Sequence, residues 1–378
     1  MADRFSVAPM LLPIAASFGV SLTAASAAAS LYYLAYGLMP LLYGLLADRF
    51  GRVRIIRAAL VGTAMADLLS VLSPSLTFLL VARFVTGGIA CGVFPTTLVY
   101  LGDRYAFNVR QQAIAGVLVF VALGTATGTI LGGLVAHLWN WRAFFLIPAA
   151  IAIVVAIALN RIPESLTARS NQHPVGQVAT VLRNRWAVWL LALSLLQGAV
   201  MFGFVTYFAP ALEAGGHSPA IAGAVVAGYG VAVLVCTRAF GHVARLVPAA
   251  LLLAGGATML TVGFVIAAIS QSVPAILAAS VLAGGAYAFM QSTFQAWFTD
   301  VVPAARGTAT ALFATAIFGG AALATSAAAG MADAHAYGTL FIVAAILTVP
   351  LLVGGSLGRW RYRGSDLVGE DQRGNQIG

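Results

Sequence analysis

The sequence predicts an all-α integral membrane protein with twelve transmembrane helices in two pseudo-symmetric six-helix bundles. Three observations predict it: the composition, the spacing of the apolar runs and the positions of the arginines. Of 378 residues, 61% are hydrophobic and 8% charged, whereas a soluble domain carries roughly 25% charged residues to wet its surface. A surface so poor in charge faces lipid. There every backbone N–H and C=O must be satisfied within its own segment, so the spans are helices. The 40 glycines suit helices that approach closely in a bilayer.

Crossing a hydrocarbon core of ~30 Å takes about 20 apolar residues. Such runs lie near 5–20, 25–47, 56–73, 76–101, 113–136 and 143–160, and again near 186–210, 219–241, 247–270, 273–298, 308–331 and 337–357. All the basic residues are arginine. With the N-terminus inside, Arg49, Arg52, Arg54 and Arg57 fall between helices two and three, and Arg104 and Arg110 after four. Arg161, Arg169, Arg183 and Arg185 lie between six and seven, Arg238 and Arg245 at the end of eight, and Arg306 between ten and eleven. Arg359, Arg361, Arg363 and Arg373 are in the tail. All sit on the side facing the cytoplasm; Arg142 is in an outside loop, Arg4 is N-terminal and Arg83 is within a helix. The positive-inside rule therefore places both termini in the cytoplasm and requires an even number of spans.

The net charge of +9 does not mark a nucleic-acid binder, because the arginines alternate with apolar runs instead of forming one patch. Cys91 and Cys236 lie inside apolar runs and read as buried thiols. There is no Walker loop and no metal-ligand cluster, and all five histidines lie in loops or at helix ends. The expectation is a protein that is not an enzyme and uses no cofactor or metal.

Residues 161–184 form the one long polar connection, with Pro163, Glu164, Asn171, Gln172 and Pro174. This divides the chain into a bundle at 1–160, a cytoplasmic linker at 161–184, a second bundle at 185–358 and a tail at 359–378. The halves repeat. Asp103 and Arg110 precede helix five as Asp300 and Arg306 precede helix eleven, and Gly124 corresponds to Gly320. Residues 144–151 echo 340–347, and Tyr36-Gly37 echoes Tyr229-Gly230. Parallel repeats of this kind are a transporter architecture in which the bundles rock about a central site.

Between helices two and three stands GLLADRFGRVR, residues 44–54. Gly44 lets a neighbouring backbone approach, Gly51 permits a tight turn, and the arginines hold the loop at an anionic leaflet. Asp48 can accept hydrogen bonds from a facing helix end. The segment resembles the G-x-L-A-D-R-x-G-R-K-x-x-L motif of the major facilitator superfamily, matching at Gly44, Leu46, Ala47, Asp48, Arg49, Gly51 and Arg52. Val53 departs from it, and in the second half Gly241 and Arg245 stand in the places of Asp48 and Arg52. The resemblance implies that Asp48 and Arg52 latch the outward-open state and release in the inward switch.

Helix four carries Arg83 and Gly87, similar to the family's second motif. An arginine inside a bilayer normally faces a partner or a wet cavity. Counting from the turn near residue 74 puts Asp67 and Arg83 at similar depth on antiparallel helices, roughly 10–14 Å below the turn at 1.5 Å per residue. Two readings of that pair stay open: proton coupling through Asp67, or a static ion pair. In helix five, Gly124, Gly128 and Gly132 recur every four residues and Gly133 follows. This resembles the antiporter motif G-x-x-x-G-P-x-x-G-G of drug:proton exchangers, with Thr129 in place of the proline; close helix contact alone is the other reading. On helix ten, Tyr287, Gln291 and Gln295 share a face and suit a cavity wall, to which Tyr32, Tyr36, Gln197, Tyr207 and Tyr229 can add. Hydrogen bonding between helices is the alternative for each.

The first apolar run, Phe5 to Phe18, is short for a span. Either the chain starts upstream of Met1 or helix one is short. In the first case Asp3 is a buried acid that competes with Asp67 for Arg83; in the second it rests at the interface. The resemblance implies a monomeric, proton-coupled exporter of small lipophilic molecules in the plasma (inner) membrane, with substrate, protons and the lipid bilayer as partners and no nucleic acid. An uptake symporter and a non-transporting membrane sensor are the alternatives.

Overall fold

The computed structural model describes residues 2–105, 107–164 and 174–362. The rest of the expected linker, 165–173, and the tail from 363 onward lie outside the described residues. All regular structure among the described residues is helical, because each apolar run can satisfy its backbone only within itself.

Helices occupy each of the twelve apolar stretches. We label them α1 (Ala2–Ser6, Ala8–Met10 and Leu11–Phe18), α2 (Leu22–Leu38 and Pro40–Phe50), α3 (Arg52–Val71), α4 (Leu76–Arg104), α5 (Phe107–Leu138), α6 (Trp141–Arg161), α7 (Arg185–Ala214), α8 (Pro219–Val226 and Gly228–Leu246), α9 (Ala249–Ile269), α10 (Val273–Val301), α11 (Arg306–Asp333) and α12 (Tyr337–Arg361). Nine of these are long and apolar enough to cross a membrane among the described residues, or ten if the two parts of α2, bent by 49° to each other, count as one span. Composition and length thus support fewer spans than the twelve expected. α1 is interrupted near Pro9 and ends at Gly19, while α3 carries Arg52, Arg54, Arg57 and Asp67.

Local chemistry sets the helix starts. The hydroxyls of Ser21, Ser75 and Ser218 accept the amides of Ala24, Phe78 and Ile221, and the Asn184 side chain accepts those of Trp186 and Ala187. Each satisfies a first-turn N–H that has no partner within its helix. The bend in α2 falls at Pro40, which has no N–H to continue the ladder.

Helix contacts repeat between the halves. α1 lies on α5, α2 on α4 and α3 on α6; α7 lies on α11, α8 on α10 and α9 on α12. The broadest contacts between the halves among the described residues are α2 with α11 and α5 with α8, and α1 adds smaller ones to α7 and α8. One residue pair shows the repeat closely. A Cβ added at Gly87 would lie 2.3 Å from the Tyr32 carbonyl oxygen, and one added at Gly284 would lie 2.2 Å from that of Tyr229. The repeat therefore matches Tyr229 with Tyr32, not with Tyr36 as the paired Tyr-Gly steps suggested. Backbone contact, not the local dipeptide, sets the equivalence.

Candidate functional site

A cavity of ≈ 1010 Å³ lies among α2, α4, α7, α10 and α11 and runs to the arginine-rich end of the molecule. Asp48, Arg49 and Gly307 stand exposed on its rim. Deeper, its walls are Tyr36, Phe202, Tyr287, Gln291, Gln295, Ile317 and Phe318, and Arg4 contributes at the same depth. Phe202 lies in a wider π turn, Ala199–Gly203, followed by the tight turn Phe204–Tyr207. Such interruptions are frequent at functional sites.

The opposite end is closed by contacts between helices. The Asp333 carboxylate at the end of α11 accepts the Leu22 amide at 2.8 Å, and Tyr33 Oη lies 3.3 Å from Thr206 Oγ1. A Cβ on Gly133 would come within 2.1 Å of the Pro219 carbonyl, and one on Gly132 within 2.7 Å of that of Ser6. Only glycine allows α5 to touch α8 and α1 so closely.

Behind the cavity lies a buried charge cluster. Arg83, 1% exposed, donates to Asp3 Oδ1 at 2.6 Å and to the Asp3 carbonyl at 3.4 Å. Its guanidinium stacks over Tyr32 at 4.6 Å and Phe145 at 5.1 Å. Asp67 Oδ1 is 3.9 Å from Arg83 Nη1, and neither Asp67 oxygen has a hydrogen-bond partner among the described residues. Sequence depth thus brought Asp67 and Arg83 to the same level correctly, but the arginine's hydrogen bonds go to Asp3. The expected pair is a triad with Asp67 at its margin. The physical reason is the approach of α1, which sequence spacing along α3 and α4 cannot show. Asp3 is buried, 5% exposed.

At the arginine-rich end, Arg52 bonds Asp48 one turn away and reaches Asp103 Oδ2 on α4 at 3.2 Å. Glu164, just after α6, accepts the amides of Val53 at 2.8 Å and Arg54 at 3.1 Å, capping the start of α3. Gly51 takes φ +99°, and a Cβ there would lie 2.7 Å from the Glu164 carboxyl carbon. The positive φ demands glycine, while the Glu164 carboxylate, at the end of a flexible side chain, can shift. Gly44 differs from expectation: nothing lies within 4 Å of where its Cβ would be, and it faces the cavity.

The model of the Major Facilitator Superfamily matches residues 1–216. The chain belongs to that superfamily. It is 28% identical over 163 residues to a triacylglyceride transporter of Mycolicibacterium smegmatis, covering 42% of this chain and 29% of that protein. It is 25% identical over 160 residues to the quinolone resistance protein NorB of Staphylococcus aureus, covering 42% of this chain and 35% of that one. The alignments thus span about a third of the length of these curated relatives. The nucleoside transporter NupG shares the fold with a TM-score of 0.78 and 13% identity, over 95% of this chain and 96% of that one. A bacterial homolog to the human lysosomal transporter Spinster shares it with a TM-score of 0.72 and 19% identity, over 95% and 93%.

Within this major facilitator fold the expected cavity residues divide. Tyr36, Tyr287, Gln291 and Gln295 line the cavity. Tyr32, Gln197 and Tyr229 do not. Tyr32 covers Arg83, Gln197 is buried and donates to Gln291 Oε1 at 3.1 Å, and Tyr229 stands behind Phe5 with its hydroxyl unpartnered. Tyr207 is outside the lining as well, bonded to the Thr325 carbonyl. Burial between helices removes each from the wall. Among the antiporter-like glycines, Gly128 is buried and Gly124 half-buried on α5, and Thr129 Oγ1 turns back to the Thr125 carbonyl at 2.8 Å. Arg49 lies over Phe50 at the rim, 5.2 Å from the ring.

Sequence reasoning missed Arg4, Phe202, Phe318, Glu164 and Asp333. Arg4 had a signal: it follows Asp3 directly and opens a mostly apolar run, so the two charges travel on one helix. The phenylalanines had none, since apolar residues line lipid, core and cavity alike.

Proposed function

We propose that the chain is a proton-coupled transporter that exports small lipophilic compounds across the plasma (inner) membrane by alternating access. In this reading it is a monomer, its arginine-rich face is cytoplasmic and both termini lie there. The observation that carries the proposal is the pairing of a large aromatic cavity, open at one end and shut at the other, with a buried acid that lacks hydrogen bonds among the described residues. In this reading Asp67 takes and releases a proton beside the Arg83–Asp3 pair, which lies 3.9 Å from it, and so changes the charge next to the cavity. Gly44, Asp48, Arg49, Gly51 and Arg52 serve as the conformational latch. With the cavity open towards the cytoplasm, Asp48 holds Arg52 of its own loop. When the cytoplasmic end closes, Asp48 would face the start of α11 across the rim. There the helix dipole favours a carboxylate. The glycine surface of α5 gives the halves a smooth joint on which to rock. The match to NorB supports export, and the match to the triacylglyceride transporter supports a lipophilic cargo.

The test is a resistance and dye-efflux screen of an overexpressing strain, followed by everted vesicles carrying wild type or Asp67→Asn. Export predicts dye uptake into everted vesicles that depends on an imposed proton gradient and is lost in the variant. Substrate accumulation driven by an inward proton gradient in right-side-out vesicles would overturn export and identify an uptake symporter.

A further inference from the structure

Arg4 stands at the deep end of the cavity and is 7% exposed. Its guanidinium carbon lies 4.8 Å from the ring centre of Phe5, 4.9 Å from Phe202, 5.3 Å from Phe318 and 5.9 Å from Tyr36. No carboxylate among the described residues pairs with it: Asp3, its neighbour in sequence, is turned to Arg83. It makes no hydrogen bond among the described residues, and its Nε is buried without a partner. Aromatic faces attract a cation but accept no strong hydrogen bonds, and a guanidinium offers five N–H donors in a planar fork. A lasting positive charge at this depth is costly and normally marks a substrate path.

We infer that Arg4 is the recognition point for an anionic head group, and that the cavity's substrates are amphiphilic anions: a carboxylate or similar planar oxyanion joined to a lipophilic body. The inference rests on the transport reading of the cavity and narrows its cargo. The oxyanion takes the fork of Arg4 in paired, charge-assisted hydrogen bonds. The apolar body lies against Phe202, Phe318 and Tyr36, and Gln291 and Gln295 leave room for a polar group nearer the rim. An equally lipophilic cation meets repulsion from Arg4 at the same place.

Equilibrium binding to the full chain in lipid nanodiscs tests this with three fluorescent probes of one shape: a dansyl-labelled long-chain carboxylate, its methyl ester and the matching alkylammonium. The carboxylate should bind roughly tenfold or more tightly than the ester, as expected for charge-assisted hydrogen bonds. Arg4→Gln should bring that ratio to about one, and Arg4→Lys should keep part of the preference. Tryptophan-fluorescence melting reports whether each variant is folded, and the three-probe comparison on wild type stands without any variant. Alkylammonium binding as tight as carboxylate binding, no carboxylate binding above empty nanodiscs, or a ratio unchanged by Arg4→Gln would each overturn the inference. Proton-driven dye export without anion preference would sink this inference and spare the transport reading. Anion preference without any transport would do the reverse.

Discussion

Asp333 at the end of α11 accepts a hydrogen bond at 2.8 Å from the backbone amide of Leu22 at the start of α2. One half of the molecule thereby caps a helix of the other at the closed end. Losing such a cap costs about 1 kcal/mol, a shift of roughly fivefold in a two-state equilibrium. Asp333→Ala should move the molecule towards opening at that end. Maleimide labelling of Ser26→Cys, in a background lacking Cys91 and Cys236, should speed up severalfold. An unchanged rate would show that the cap does not hold the closure.

The buried triad predicts unequal effects of its two acids. Asp3→Asn leaves Arg83 with Asp67 at 3.9 Å and no direct hydrogen bond to a carboxylate. Breaking a buried pair in this way costs about 3–5 kcal/mol, so poor expression and a much lower unfolding temperature are expected. Asp67→Asn keeps the Arg83–Asp3 bond and should unfold near the wild-type temperature while losing proton-driven transport. Tryptophan-fluorescence melting in detergent reads the first effect and vesicle transport the second. Equal destabilisation by both substitutions would contradict the hierarchy of distances.

Glu164 and Gly51 form one joint after α2. Glu164→Ala removes an acceptor from two amides at the start of α3 and should cost about 1–2 kcal/mol. Gly51→Ala should cost more, because it adds a backbone strain of about 1–3 kcal/mol to the contact with Glu164. Combining the two relieves the contact but not the strain at φ +99°. The double variant should therefore still melt below Glu164→Ala alone; a melt equal to it would show that the clash was the whole effect.

Gly133→Ala should drive α5 and α8 apart, since even a methyl group would meet the Pro219 carbonyl at 2.1 Å. This contact belongs to the closed end, so the substitution should increase labelling of Ser26→Cys as Asp333→Ala does. Gly116→Ala, on the same helix with open space at its Cβ, should leave labelling unchanged.

The fold class, the repeat and the motif loop were legible in the sequence because each depends on local or periodic features. Charge scarcity forces lipid-facing helices, arginine placement tracks the loops, and the G-x-L-A-D-R spacing around Asp48 needs no distant partner. Asp67 and Arg83 were also placed at one depth by counting along two adjacent helices. The partner that wins Arg83 was not legible. Asp3 lies eighty positions away, and its approach depends on how α1 leans on α5, where Gly132 meets the Ser6 backbone.

The same division separates Tyr36 from Tyr32 and Gln291 from Gln197. All four have the residue types of a cavity wall, and only the rotation of each helix against its neighbours decides which side chain meets the cavity. By itself, the sequence determined a helical membrane fold of the major facilitator type with a charged loop after α2 and charges inside its first half. Tertiary structure alone decided that Arg83 takes Asp3, that Arg4 faces the cavity without a carboxylate partner among the described residues, and that Asp333 closes the far end on Leu22. Hydropathy and arginine placement act along one segment at a time, whereas pairing a buried charge depends on which helices meet and at what rotation.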